Sequence, residues 1–157
     1  MSLLDLVGGL TAARVRFIIA GGVAGTVHGS RRVTDDLDIL YDTSPGNLVR
    51  LAELLIGWHA YPRDVEPGLP FVPDARTLRA LEVVTLTTDA GLLDLFRTMA
   101  GVGDYAAALP GAISVDLPSG TVTALSLDQL IAAKRAAGRP KDREHLIELE
   151  ALRHLSP

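Results

Sequence analysis

The sequence predicts a single α+β domain, with a mixed-sheet α/β domain as the alternative, and three observations support this. The chain has 157 residues, 48% of them hydrophobic and 22% charged, which suffices for one domain with a buried core. Short apolar segments rich in β-branched residues predict strands, whereas leucines three or four residues apart predict helices. The two kinds of segment are mixed without strict alternation, which is typical of a sheet flanked by helices.

The first part of the chain is predicted to hold three helices and two strands. Leucines at helical spacing predict an amphipathic helix over 2–13, and the apolar segment 15–20 predicts a buried strand that ends at two glycines. Small residues over 23–29 predict a short helix packed closely against that strand. A second strand is predicted over 37–41, and Pro45 begins a helix with a stripe of leucines.

The middle of the chain is predicted to complete the sheet. The segment 60–77 contains four prolines and is predicted to be irregular. Strands are predicted over 81–87 and 91–96. A Pro-Ser-Gly turn between 113–117 and 121–125 predicts a β-hairpin.

Two helices are predicted to end the chain. Ser126 begins a capping box, Gly138 ends the helix that follows, and Pro140 begins the last helix. We therefore divide the single compact domain into a core over 1–125 and a helical pair over 126–157. The predicted apolar stripe of the last helix consists of Leu146, Leu149, Leu152 and Leu155.

Composition excludes several classes of protein. The absence of cysteine excludes disulfides, cysteine-ligated metals and thiol catalysis, and the net charge of −4 argues against a general nucleic-acid coat. The segment before Arg14 lacks the basic residues of a secretory signal. The longest apolar stretch, 17–27, is interrupted by glycines and is shorter than the roughly 20 residues that cross a bilayer. We expect a cytoplasmic protein without a membrane segment.

The block from Gly21 to Asp38 contains the most informative residues. Gly21-Gly22 lies between a predicted strand and helix, where open backbone N–H groups favour an anion. Asp36 and Asp38 are two positions apart on a predicted strand, so their side chains point to the same face. Neighbouring carboxylates repel each other, and a shared Mg²⁺ ion is a common reason for keeping both ionised.

Each of these features also has a simpler explanation. A Gly-Gly pair after a strand is often only a tight turn, and an Asp-x-Asp sequence is often a solvated strand end. Because one short helix separates the two features, we favour a phosphate site beside a metal site.

The same block resembles the catalytic motif of the DNA polymerase β-type nucleotidyltransferase superfamily. The motif consists of Gly-Gly, a short helix and Arg-x-Thr-x-Asp-x-Asp, and the minimal, abortive-infection or toxin-like branch is the most similar. The strand 91–96 resembles the element that carries the third carboxylate of this branch. The segment 126–142 resembles its Lys-x-x-x-x-Arg-x-Lys-Asp element, so the matches extend from about residue 17 to residue 146.

The resemblance implies a nucleotidyltransferase fold and a transfer reaction. An acceptor hydroxyl would attack the α-phosphorus of a nucleoside triphosphate such as ATP, and pyrophosphate would leave. Asp36, Asp38 and Asp94 would be the catalytic residues and would bind two Mg²⁺ ions, with Asp94 as the general base. Asp116, on another predicted strand, is the rival third carboxylate.

The resemblance also implies nucleotide-binding residues. Many members of the superfamily carry Gly-Ser where this chain has Gly21-Gly22, so backbone donors would replace the serine hydroxyl. Arg32 and the basic residues near Gly138 also have structural explanations, as partners of neighbouring carboxylates or as ordinary surface charges. The predicted nucleotide-binding residues are Gly21, Gly22, Thr26, Ser30, Arg32, Lys134 and Arg139.

Two function classes stay open. The first is the Mg²⁺-dependent transferase, which could belong to a toxin–antitoxin pair with an antitoxin as partner. The second is a catalytically weak or inactive relative that binds a nucleotide or a partner. A metal-dependent phosphohydrolase would not explain the Gly-Gly pair, and the Rossmann and P-loop motifs are missing. The acceptor, which could be a tRNA end, a protein hydroxyl or a small molecule, is not identified.

Overall fold

The computed structural model describes residues 2–155, and its main feature is a seven-stranded mixed sheet. The strands are β1 (Phe17–Ala20), β2 (Asp36–Tyr41), β3 (Tyr61–Pro62), β4 (Val83–Thr88), β5 (Gly91–Phe96), β6 (Thr98–Met99), β7 (Gly103–Asp104), β8 (Ile113–Leu117) and β9 (Gly120–Ala124). The helices are α1 (Leu3–Ala12), α2 (Gly21–Val27), α3 (Pro45–Gly57), α4 (Ala75–Ala80), α5 (Tyr105–Ala108), α6 (Leu127–Ala137) and α7 (Arg143–Leu155).

The sheet combines parallel and antiparallel pairs. Its strand order is β3-β4-β5-β2-β1-β9-β8, while β6 and β7 form a separate two-stranded ribbon. The pairs β1–β9 and β2–β5 are parallel, and the other pairs in the large sheet are antiparallel. The predicted mixed sheet flanked by helices is therefore confirmed.

The central strands contribute one apolar face to the core. Leu37 and Ile39 of β2 are fully buried, as are Leu93 and Leu95 of β5, and α1 contacts both strands. These leucines and isoleucines alternate with the aspartates of the same strands, which face the other side. A buried apolar face thus fixes where the acidic side chains point.

The strand and helix boundaries differ from the sequence prediction in the first part of the chain. β1 begins at Phe17 instead of residue 15, because the Asn47 side chain accepts a hydrogen bond from the backbone N–H of Arg16 at 2.6 Å. The following helix begins directly at Gly21, so the two glycines form its first turn instead of a separate bend.

The proline-rich segment is more ordered than predicted. It contains β3, and α4 begins within it, with the Asp74 side chain accepting a hydrogen bond from Thr77 N at 2.8 Å. α4 has only six residues, too few to show a helical period. The short elements between Thr98 and Gly111 are also absent from the sequence prediction.

The C-terminal helices agree with the prediction except at their ends. The capping box at Ser126 is formed, and Gly138 ends α6 with a φ of 62°. Pro140–Asp142 forms a 3₁₀ turn, so the last helix begins at Arg143 instead of Pro140. Leu149 is fully buried, but Leu155 at the end of the predicted stripe is 81% exposed.

The predicted core over 1–125 includes residue 1, and the predicted helical pair over 126–157 includes residues 156–157. These three residues lie outside the described residues. Within residues 2–155, no helix has the length and apolar character needed to cross a membrane.

Candidate active site

Three carboxylates meet on two neighbouring parallel strands. Asp38 of β2 lies opposite Asp94 of β5, and Asp36 precedes Asp38 by two positions on the same face. One carboxylate oxygen from each residue lies within 4.8 Å of the others. Asp116 is instead exposed on the edge strand β8, where it accepts a hydrogen bond from Thr121 Oγ1 at 2.8 Å. The structure therefore brings Asp94, and not Asp116, to the other two aspartates.

The carboxylates are destabilised in their charged form. Burial, followed by repulsion from Asp36 and Asp94, raises the pKa of Asp38 to about 7. Burial and its contact with Asp36 raise the pKa of Asp94 to about 6, although the positive charge of Arg63 opposes that shift. The site therefore holds an excess of negative charge that a cation would relieve.

The donor set fits a divalent cation such as Mg²⁺. All three candidate ligands are carboxylate oxygens, which hard cations prefer. The Oδ1 atom of Asp38 is buried and has no hydrogen-bond partner among the described residues. A buried acceptor without a partner is costly in a folded protein, and coordination to a cation would satisfy it.

Arg63 contacts the carboxylates and was not predicted from the sequence, and neither were Lys141, Asp142 and His145 of the neighbouring cavity. The Nη2 atom of Arg63 lies 2.9 Å from Asp94 Oδ1, and its Nη1 atom lies 3.8 Å from Asp36 Oδ2. Nη2 also donates to the carbonyl of Leu86 at 3.0 Å, and the backbone N–H of Arg63 donates to Thr85 O at 2.8 Å. These bonds to β4 hold the guanidinium against the carboxylates. A single arginine in a proline-rich segment carries no sequence pattern that would reveal this role.

Gly21 and Gly22 allow two other segments to approach the start of α2. A Cβ atom on Gly21 would overlap Asp38 Oδ2 and stand 2.7 Å from Asp38 Cγ, and Gly21 has a φ of +57°. A Cβ atom on Gly22 would stand 2.8 Å from Thr34 Oγ1. Both glycines are therefore required by close contacts, and Gly21 also by its backbone conformation.

A basic cavity of about 320 Å³ opens beside the carboxylates. Lys134 Nζ and Arg139 Nε lie 3.0 and 2.6 Å from the two oxygens of Asp142, so two cations share one carboxylate. Burial opposes ionisation of Asp142, but hydrogen bonds from Arg139 and Lys134 lower its pKa. The cavity is lined by Gly22, Arg32, Val33, Thr34, Asp36, Asp38, Lys134, Arg139, Lys141, Asp142 and His145.

Three of the predicted nucleotide-binding residues, Gly21, Thr26 and Ser30, do not line this cavity. Thr26 is exposed, and its Oγ1 donates to the carbonyl of Gly22 at 3.1 Å. Ser30 is 7% exposed, and its Oγ donates to Glu148 Oε1 at 2.6 Å. Both hydroxyls are engaged in holding local structure.

The fold is similar to that of two solved structures, although no protein-family model and no curated protein matches the sequence. The solution structure of the antibiotic-resistance factor ANT(2'')-Ia aligns with a TM-score of 0.59 and 14% identity, covering 96% of this chain and 79% of that one. A nucleotidyltransferase-like antigenic protein from Paracoccidioides brasiliensis aligns with a TM-score of 0.56 and 17% identity, covering 98% and 75%. The chain therefore has the nucleotidyltransferase fold.

Proposed function

We propose that this protein is a metal-dependent nucleotidyltransferase, which moves a nucleoside monophosphate from a nucleoside triphosphate to an acceptor hydroxyl and releases pyrophosphate. The observation that carries the proposal is the meeting of Asp36, Asp38 and Asp94, with carboxylate oxygens within 4.8 Å of one another. This cluster adjoins a basic cavity on a nucleotidyltransferase fold. Membership of the toxin-like branch, pairing with an antitoxin and a cytoplasmic location stay predictions from the sequence.

The three aspartates share one role in this mechanism, and Asp94 has a second one. Together they would hold divalent cations, which neutralise charge on the phosphates and lower the pKa of the attacking hydroxyl. Asp94 accepts the proton of that hydroxyl as the oxygen bonds to the α-phosphorus. The bond between the α-phosphorus and the bridging oxygen breaks, and pyrophosphate takes that electron pair. Burial raises the pKa of Asp94 in the metal-free protein, which suits a role as general base.

The basic cavity would bind the polyphosphate. Arg32, Lys134 and Arg139 line it, and charge-assisted hydrogen bonds from such groups to phosphate are among the strongest in proteins. Gly21 and Gly22 leave room at the start of α2 for the side chains of Asp38 and Thr34, which pack against them at the edge of the site.

A nucleotide-binding protein without transfer activity is the second candidate function. Arg63 favours it, because its guanidinium already pairs with Asp94 and Asp36. In an active enzyme this arginine must share the carboxylates with the cations or move away from them.

Thermal unfolding with Mg²⁺ and ATP tests the site. If both bind here, they raise the melting temperature together by more than the sum of their separate effects. The double variant Asp36→Asn/Asp38→Asn should lose this joint effect and stay folded. The control is Asp35→Asn, since Asp35 is exposed and lies outside the cluster. Retention of the joint effect in the double variant would show that the site is misplaced.

Incubation with α-labelled nucleoside triphosphates and cellular RNA, protein or small-molecule fractions then separates the two candidates. Label on an acceptor that disappears with Asp94→Asn supports the transferase. Binding of Mg²⁺ and ATP without label on any fraction supports the binding protein.

A further inference from the structure

The loop between α2 and β2 carries Arg32, one of the three residues to which the proposed function assigns the polyphosphate. Lys134 and Arg139, the other two, are both paired with Asp142, whereas Arg32 forms no ion pair with any residue in the described range 2–155. Residues 31–35 of the loop form neither helix nor strand. The position of Arg32 therefore depends on the contacts that hold this loop.

Glu148 of α7 holds the beginning of the loop. Its Oε1 atom accepts a hydrogen bond from Ser30 Oγ at 2.6 Å, and its Oε2 atom accepts one from the backbone N–H of Arg31 at 3.3 Å. Ser30 Oγ in turn accepts a hydrogen bond from the backbone N–H of Arg32 at 3.3 Å. A single carboxylate on α7 is thus connected to three consecutive residues of the loop.

Both ends of this connection are anchored in the protein. Ser30 is 7% exposed, and Leu149, next to Glu148 on α7, is fully buried. The hydrogen bonds from Ser30 and Arg31 lower the pKa of Glu148, so its carboxylate is ionised at neutral pH. Because hydrogen bonds to an ionised group are stronger than neutral ones, α7 fixes the backbone from which the Arg32 side chain extends.

We propose that Glu148 is a positioning residue for polyphosphate binding, because it holds Arg32 at the basic cavity through Ser30 and the backbone of the loop. This inference rests on the proposed function and adds a residue on which that function depends. Glu148 belongs neither to the carboxylate cluster nor to the residues that line the cavity. Its effect on the phosphates therefore passes through Arg32.

The negative charge of Glu148 gives the proposal a definite sign. A carboxylate near a polyphosphate repels it, so the removal of an acid that acts only through its charge strengthens binding. The removal of a positioning residue has the opposite effect. The loop that carries Arg32 becomes less ordered, and ordering it again when phosphate binds lowers the affinity.

Two variants and a matched control test the proposal. Glu148→Ala removes the charge and both hydrogen bonds to the loop, whereas Ser30→Ala removes the hydroxyl link and leaves the charge in place. The control is Glu150→Ala, because Glu150 lies on the same helix and pairs with Arg135 of α6 instead of the loop. The Glu150 side chain is 38% exposed, close to the 32% of Glu148. Calorimetric titration measures the affinity for Mg²⁺-tripolyphosphate and, separately, for Mg²⁺ alone.

We expect Glu148→Ala and Ser30→Ala to lower the affinity for Mg²⁺-tripolyphosphate by about threefold to tenfold each, and the affinity for Mg²⁺ alone by less than about twofold. Glu150→Ala should leave both affinities within about twofold of the unaltered protein. Unchanged or tighter binding of Mg²⁺-tripolyphosphate in Glu148→Ala or Ser30→Ala overturns the proposal. An equal loss of affinity for Mg²⁺ alone also overturns it, since that would indicate general damage to the site.

A double-mutant cycle checks that the effect passes through Arg32. Arg32→Met should itself lower the affinity for Mg²⁺-tripolyphosphate, and in that background Glu148→Ala should cause no further loss, because no guanidinium is left to position. Independent losses that multiply would give Glu148 a general structural role and overturn the proposal.

The same titrations separate this inference from the proposed function. If the unaltered protein binds Mg²⁺-ATP and Mg²⁺-tripolyphosphate but the variants behave otherwise than expected, only the role of Glu148 is wrong. If the unaltered protein binds neither ligand, the proposed function fails, and the role of Glu148 fails with it.

Discussion

The carboxylate of Asp38 occupies the space in which a side chain on Gly21 would stand. A Cβ atom there would overlap Oδ2 and lie 2.7 Å from Cγ. Gly21 also has a φ of +57°, a conformation that is costly for other residues. The first residue of α2 therefore fixes the position of a candidate metal ligand on β2, and any side chain at residue 21 must displace it.

Gly21→Ala should disable the site. Moving the Asp38 carboxylate and straining the backbone should lower the free energy of unfolding by about 1–3 kcal/mol and abolish joint stabilisation by Mg²⁺ and ATP. Urea unfolding with and without Mg²⁺-ATP measures both effects. Gly8→Ala is the control, because its Cβ meets only Ser119 Cβ at 3.8 Å and should stabilise α1 by roughly 0.5–1 kcal/mol. Equal Mg²⁺-ATP effects in both variants would contradict the role given to Gly21.

The raised carboxylate pKa values predict an unusual pH dependence of stability without metal. The pKa values of Asp38 and Asp94 rise from 3.8 in the unfolded chain to about 7 and about 6 in the folded protein. Between these values the folded state holds more protons than the unfolded state, so these groups favour folding below about pH 4 and lose that contribution as the pH rises towards 7. Urea unfolding in EDTA from about pH 5 to about pH 7.5 measures the slope.

Asp38→Asn isolates this effect. The variant should be more stable than the unaltered protein at pH 7.5 in EDTA, and the difference should shrink towards pH 5. His145 has a lowered pKa and contributes with the opposite sign in this range, but it contributes to both proteins and cancels in the difference. A stability difference that does not change with pH would argue against a raised pKa at Asp38.

Arg63 should take the place of a cation when the site is free of metal. Its side chain is 24% exposed and pairs with Asp94, which is 12% exposed, so Arg63→Gln leaves a partly buried carboxylate without its partner. We expect a loss of about 1–3 kcal/mol in unfolding free energy in EDTA. Mg²⁺ should restore more stability to this variant than to the unaltered protein, because the ion replaces the lost positive charge.

The control for Arg63 is an ion pair whose arginine is largely exposed. Arg16 lies 3.7 Å from Asp42 and is 65% exposed, so Arg16→Gln should cost less than about 1 kcal/mol and leave the response to Mg²⁺ unchanged. If Mg²⁺ stabilises both variants equally, Arg63 and the metal do not share the carboxylates.

The local sequence pattern was sufficient to predict the helices and strands that have a clear hydrophobic period or capping residues. The strand 91–96 is formed as predicted, and the capping box at Ser126 and the left-handed glycine at Gly138 mark both ends of α6. Short elements such as α4 were missed, since six residues do not reveal a period. The pairing order of the strands depends on contacts between distant segments, which no local pattern contains.

The residues of the candidate site were also predictable only where a local pattern or the family resemblance indicated them. Alternation along one strand predicts that Asp36 and Asp38 share a face, and the family resemblance supplied Asp94 on another strand. Arg63 reaches the cluster only because β3 pairs with β4. The residues next to Arg63 in the sequence do not predict this tertiary contact. Ser30 was expected to bind nucleotide from its position near the motif, but it donates to Glu148, 118 residues away.

Lys134 should contribute most of the polyphosphate affinity that comes from α6. It is 19% exposed beside Asp142, its charge acts on Asp38, and it lines the basic cavity. Lys134→Met should lower the affinity for Mg²⁺-ATP and for Mg²⁺-tripolyphosphate by about tenfold to a hundredfold each, because hydrogen bonds to charged groups are worth about 1.5–3 kcal/mol. Arg135→Met is the control on the same helix, since Arg135 is 58% exposed and pairs with Glu150. Calorimetric titration measures all four affinities. A loss of affinity for ATP alone would mean that Lys134 contacts the nucleoside instead of the phosphates. An unchanged affinity for both ligands would show that the polyphosphate does not bind in the basic cavity.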